Sequence, residues 1–468
     1  MSKLRNLYQV SALYAGPAPD SGFCFIDNSG NLNNNYNIGL NNNNLLFAID
    51  RVQEASFGFA QQYQPILEIG KRTPITYANV IPPSVNFSFS YLQKDIVNEL
   101  RLGFTPNYST TGDSTPYYSN NYANCFISGF ISRDMTQPVN FPTWPLPYRD
   151  KRNLYVIVGQ YGVDVNNDTQ NFADPASKNF AVYGFGGCYI TNYQIRGGVG
   201  NFPSASVSYI CDNFTILSSG SGVLSPALDV KSGIAANNYF NIPSTNEAAG
   251  APSVLLPGDT NLDFYSISSL TGVLAMYGTG YSPDSQSSNI VDLGVSFSDI
   301  KVQNYTLSIP LSRQSLYSLG YKYPTDKKVI FPVPVTMEVE CVFGDSQTGN
   351  LANLYLNDKD YNATLRINSP RNSSMANREA LRYELKRAKL QNISYSTSIG
   401  PSYTANLTFV TDIDPDYFDR GLFVSGIAYM RESSANDEFL LKKNDNSLIL
   451  KKTGGDFILK KKALVVTY

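Results

Sequence analysis

The 468-residue chain contains no histidine. That removes Ser-His-Asp and Cys-His nucleophile systems, zinc motifs built on HExxH and imidazole acid–base chemistry. Lysine bases and paired carboxylates remain, but no two acids show a spacing that commits to a reaction such as glycoside hydrolysis. Charge is scarce as well, at 16% of residues with a net charge of −2, so nothing draws the whole chain toward nucleic acid or an anionic membrane. No apolar run is long enough to cross a bilayer, and no membrane insertion is expected. The opening MSKLRNLYQV lacks the apolar core and cleavage site of a secretory leader, so synthesis in a cytoplasm is expected. Cysteine is limited to Cys24, Cys125, Cys188, Cys211 and Cys341, an odd set with no CxxC pair, which reads as buried free thiols. GFGG at 184–187 and GGVG at 197–200 lack the strand–GxGxxG–helix setting of a phosphate loop. DVNND at 164–168 and DIDPD at 412–416 lack the position-six Gly and closing Glu of a calcium loop and read as capped turns. No catalytic residue, cofactor or metal is assigned, and an enzyme is not expected.

What the chain has in quantity is Tyr (33), Phe (26), Asn and Ser, a balance that suits strands and broad polar contact surfaces. It also has an internal repeat. Residues 51–95 overlie 301–345 at a constant shift of 250, matching Val52, Gln53, Gln64, Gly70, Pro74, Pro82, Val85 and Asp95 to Val302, Gln303, Gln314, Gly320, Pro324, Pro332, Val335 and Asp345. A second block matches at a shift of 200, where Asn192, Gly200, Ala205 and Asp212 meet Asn392, Gly400, Ala405 and Asp412. The order of the blocks is kept, which reads as a domain duplication with extra residues in the first copy.

The expected fold class is mainly β: two tandem copies of a β-sandwich or barrel-like domain with few helices, plus a small C-terminal β element. Strict alternation puts Val85, Phe87, Phe89 and Tyr91 on one face of a strand, and likewise Val335, Met337, Val339 and Cys341. Phe57 and Phe59, with Leu307 and Ile309, mark another strand; Ala205, Val207, Tyr209 and Ala405, Leu407, Phe409 mark a third. Gly70 and Gly320 are candidates for positive φ, and Pro82 and Pro332 for strand starts. Residues 1–44 read as an Asn-rich arm. Copy one spans 45–215 with an insertion at 105–148 that holds the only tryptophan, Trp144. A connecting segment covers 216–294 and copy two covers 295–415. Within copy two, SMANREALRYELKRAKL at 374–390 reads as a helix, with Leu381, Leu385 and Ala388 on one face. The tail from 416 to 468 carries a repeat with a period of nine, EFLLKKNDN, SLILKKTGG and DFILKKK, read as short Lys-bearing hairpins whose lysines guard strand edges, the alternative being a nucleic-acid or acidic-surface patch.

The pattern VQEASFGF…EIG…IPPSVNFSFSY at 52–91, repeated as VQNYTLSI…SLG…FPVPVTMEVEC at 302–341, resembles the tail tube (major tail) proteins of bacteriophages. The stretches NYQIRGGVGNFPSASVSY (192–209) and NISYSTSIGPSYTANLTF (392–409) are similar to that family's second sheet. The resemblance implies a structural virion protein, made in the host bacterial cytoplasm, whose partners are itself and other phage tail proteins. It implies trimeric rings with pseudo-sixfold symmetry, stacked into a tube through which phage DNA passes without sequence-specific binding. The Lys-rich tail is then expected outside the lumen or between rings, because retained phosphate contacts would brake the duplex. The alternative is a carbohydrate- or surface-binding β-module of a virion fibre, adhesin or distal tail component, with Tyr and Trp of 105–148 stacking on sugars.

Overall fold

The computed structural model describes residues 11–18, 46–79, 82–109, 126–127, 130, 150–159, 180–219, 222–234, 239–241, 253–267, 301–342, 360–370, 378–396, 404–413 and 420–428, with short strand pieces at 25–26, 32–33, 289–290, 295–296, 441–442, 448–451 and 457–459. The chain is mainly β, with large antiparallel sheets. In the first half the strands are β1 (Ser11–Pro17), β2 (Val52–Ala60), β3 (Tyr63–Ile66), β4 (Thr76–Asn79), β5 (Ser84–Leu92), β6 (Asn107–Ser109), β7 (Arg152–Gly159), β8 (Phe180–Gly198), β9 (Asn201–Cys211) and β10 (Asn213–Ser219). In the second they are β11 (Thr260–Ile267), β12 (Lys301–Pro310), β13 (Arg313–Leu316), β14 (Asp326–Val329), β15 (Val333–Val342), β16 (Asp360–Asn368), β17 (Glu379–Ser396), β18 (Thr404–Ile413) and β19 (Gly421–Ile427). The one α-helix among the described residues, α1, spans Val97–Leu102 and ends on Gly103 at φ 94°, whose N–H closes on the Glu99 and Leu100 carbonyls.

Each half is built from two sheets joined by one long strand. The first sheet runs β2–β5–β9–β8 in one half and β12–β15–β18–β17 in the other. The second runs β1–β7–β8–β10 and β11–β16–β17–β19, using the N-terminal parts of β8 and β17. Registers recur at the offsets found in the sequence. Val52 faces Tyr91 and Val302 faces Cys341, each followed by a bulge at Gln53 or Gln303. Gln53 and Gln303 both turn their side-chain amides back onto the carbonyl two residues earlier, at 3.1 and 3.3 Å. β8 and β17 are both bulged between Ile190 and Asn192 and between Leu390 and Asn392, where each long strand passes from one sheet to the other. Gly70 and Gly320 both adopt positive φ, at 91° and 84°.

The expected alternation holds. Val85, Phe87, Phe89 and Tyr91 are buried, as are Val335, Met337, Val339 and Cys341, and the two triplets on β9 and β18. They pack on the second sheets: Phe87 lies 4.4 Å from Phe185, and Phe409 lies 5.1 Å from Phe264, between ring centroids. One continuous apolar cluster takes residues from both halves.

Three expectations are corrected. The predicted helix at 374–390 is β17 over its described part. Its N-terminal stretch lies between β16 and β19, with Leu381, Tyr383 and Leu385 buried and alternating with Arg382, Glu384 and Lys386. A bulge between Leu385 and Ala388 then buries Ala388 too, so Leu381, Leu385 and Ala388, set among helix-forming Glu, Arg and Lys, carry a spacing that a helix also satisfies. The N-terminal arm contains β1, with Ala12, Leu13, Tyr14 and Ala15 buried against β7. The segment between the copies and the tail likewise supply strands to the second sheets, β11 and β19. The nonapeptide tail forms a small three-stranded sheet from Leu441–Lys442, Leu448–Lys451 and Phe457–Leu459. No helix among the described residues is long and apolar enough to cross a membrane.

Candidate functional site: an assembly edge

The two halves meet strand to strand. β8 pairs antiparallel with β12, so the first sheets merge into one eight-stranded sheet, β2–β5–β9–β8–β12–β15–β18–β17. At this seam Tyr193 faces Ile309 and Ile195 faces Leu307, all four at most 1% exposed. Backbone bonds from Leu311 to Thr191 and from Val199 to Gln303, both 2.8 Å, close its two ends. The face turned away from the core is polar. One rung across it reads Glu54, Ser90, Ser206, Gln194, Ser308, Thr336.

Among the described residues the eight-stranded sheet ends on β2 and on the C-terminal part of β17. β2 corresponds to β12, and the end of β17 corresponds to the end of β8. The outer edges are therefore the same two kinds of strand that are joined at the seam. The side chains tell them apart. Leu307 and Ile309 are buried, whereas their counterparts Phe57 and Phe59 are 45% and 71% exposed. Ile195 is buried, whereas its counterpart Tyr395 is 52% exposed.

A hairpin follows each of β2 and β12. β13–β14 of the second half folds over the middle of β8, where the Arg313 guanidinium donates to the Ile190 carbonyl at 2.8 Å and pairs with Asp150. Lys327 pairs with Asp212 at 2.7 Å, and both cations lie over the Tyr189 ring at 5.6 and 5.4 Å. β3–β4 of the first half has the same fold, with Ile75 N–H to the Ile66 carbonyl (2.9 Å) matching Thr325 to Leu316 (2.8 Å). It stands in solvent, with Tyr63 58%, Ile66 45%, Leu67 69%, Ile75 52% and Tyr77 62% exposed.

Behind the seam lies a buried polar cluster around α1. The Tyr91 and Tyr193 hydroxyls both donate to Glu99 Oε1, at 2.8 and 2.9 Å, and Gln93 reaches the Tyr383 hydroxyl at 2.6 Å. Burial pushes the Glu99 carboxyl up to about 7, against the opposing pull of those two hydroxyls. Burial also raises neighbouring Asp95, to about 6. Burial acts to raise Asp50 too, but Arg101 and Lys94, at 3.1 and 2.7 Å, outweigh it and hold that carboxyl below its ordinary value. These charged and polar groups tie the seam to α1, which bonds onward from Ile96 N–H to the Ile427 carbonyl of β19.

GFGG lies inside β8, while GGVG spans its end and the turn to β9, with Gly200 at φ 79°. A Cβ on Gly186 would overlap the Pro226 carbonyl, and one on Gly197 would overlap Tyr305, so close approach of neighbouring chain accounts for both. Cys188, Cys211 and Cys341 are free, buried thiols as expected, while Cys24 and Cys125 lie outside the described residues. Trp144 and DVNND lie outside them too, as does DIDPD beyond Ile413. Described parts of the 105–148 insertion dock on the second half: β6 runs parallel to β19, and the Phe126 N–H donates to the Leu422 carbonyl at 3.5 Å. The seam was missed in the sequence, though the inequality between Phe57/Phe59 and Leu307/Ile309 was there to be read. Compared with protein-family models and with curated proteins, the chain matches none.

Proposed function

We propose that the chain is a structural, self-assembling ring protein built on a duplicated domain, and that its rings stack into a bacteriophage tail tube. One observation carries the reading: the two outer edges of the eight-stranded sheet are the counterparts of the two strands already joined at its centre. Repeating the seam between chains sets Asn392 opposite Ala60, Ile393 opposite Phe59, Ser394 opposite Gly58 and Tyr395 opposite Phe57. A head-to-tail contact of this kind closes into a ring when its rotation allows. Covering Phe59 and Tyr395 would stabilise each contact by about 1–3 kcal/mol per side chain. It would also remove two exposed strand edges, which a lone chain leaves open to mispairing.

The polar face of the sheet agrees with a conduit. Its hydroxyl and amide rungs carry few cations, so a duplex sliding past would meet few phosphate-holding groups. Three chains of two halves each would present six similar units. Localisation in the virion tail and contacts with other tail proteins follow from the same reading. The glycan-binding alternative leans on the 105–148 segment and gains no specific contact from the described part of it.

The test is negative-stain electron microscopy of the purified chain across a concentration series. Hollow rings or tubes with threefold or sixfold end views are expected. Discrete monomers at every concentration would overturn the proposal.

A further inference from the structure

We propose that the exposed hairpin β3–β4 of one copy clasps the middle of β17 in the next, with the cation and the aromatic ring on exchanged sides. Inside the chain, the hairpin brings the cations Arg313 and Lys327, and the receiving strand supplies the ring of Tyr189. Shift each position by its repeat offset and the partners invert. Arg313 becomes Tyr63, Lys327 becomes Tyr77, and Tyr189 becomes Lys389. Two exposed rings thus face one half-exposed cation where two cations faced one ring. Lys389 is already steadied by Asp360 at 2.8 Å and keeps 49% of its side chain exposed, so its ammonium is positioned yet reachable.

The same inversion runs along the strand edge. Tyr193 opposite Ile309 becomes Ile393 opposite Phe59, so ring and branched aliphatic also change sides. Both exchanges preserve the kind of contact while changing which strand supplies each member. A contact between two first halves would put the rings of Tyr63 and Tyr77 against the ring of Tyr189. A contact between two second halves would put Arg313 and Lys327 against Lys389. The first loses the cation and the second loses the ring, so a first-half hairpin on a second-half strand is the pairing between chains that keeps a cation against a ring. The occupant is therefore a second copy of this chain, held in an alternating order. This rests on the reading that chains join edge to edge.

Benzoylphenylalanine in place of Tyr77, on a chain mixed with an isotopically heavy copy, tests the clasp by photo-crosslinking. The expected product links position 77 of one chain to residues 386–396 of the other. A parallel exchange reads the chemistry: Tyr77→Lys or Lys389→Tyr alone should weaken association about tenfold, and the two together should restore it to within about threefold. Rings that form while the crosslink is absent or falls elsewhere would overturn the clasp and leave the ring reading standing. Neither rings nor crosslinks would overturn both. Singles that weaken association with no rescue in the pair would also reject the exchanged contact.

Discussion

Glu99 is a carboxyl that the fold keeps away from water, taking two tyrosine hydroxyls on one oxygen beside the seam. Its ordinary value of 4.5 rises to about 7 in the folded chain. Between those values the folded state holds a proton that the unfolded state releases. Stability is therefore greatest at the acid end of this window and falls as pH rises to about 7, on the order of a few kcal/mol in all. Asp95 acts with the same sign between 3.8 and about 6. Glu99→Gln cannot ionise, so its denaturant midpoint should change little between pH 6 and 8 while that of the parent chain drops. Parallel pH profiles for the two proteins would show that Glu99 is not the source. None of this was legible in the sequence, where Glu99 is the single acid of a short, unpredicted helix.

At the scale of elements, β2 and β12 start from nearly the same pattern and end in different surroundings. Phe59→Asp puts a charge on a side chain 71% exposed in the single chain. The variant is expected to fold with an unchanged melting temperature and to stay monomeric at concentrations where the parent assembles, as sedimentation velocity would reveal. Assembly indistinguishable from the parent would place the contact elsewhere. The half-buried strands were the most readable elements. β5, β9, β15 and β18 have one covered face, so their alternation survives in the residue string. β17 was misread, because the bulge between Leu385 and Ala388 gives its buried residues a spacing that a helix also satisfies. β1 was hidden for another reason: it is a short strand set in a polar, Asn-rich stretch, and its partner β7 is 141 residues away, counted from Ser11 to Arg152. The free edge itself could be inferred only by setting the two copies side by side.

For the molecule as a whole, the repeat does not produce two independent bodies. A single apolar cluster runs through both halves, and α1 and β6 of the first half bond to β19 of the second. Thermal unfolding should therefore give one cooperative transition over the described core, with calorimetric and van't Hoff enthalpies in agreement. Two separated heat-absorption peaks would mean that each half melts alone. The mainly β class was visible in the sequence; the joining of the two first sheets through β8 and β12 was not.

The seam within each chain would also alter how fast the proposed ring closes. Half of the joints in such a ring would form during folding, at the high effective concentration of one polypeptide, without depending on collision. Fewer separate bodies must meet before closure, so nucleation should have a lower order in protein concentration than for the same ring made of single domains. A lag that shortens gently on concentrating the protein would be its kinetic signature.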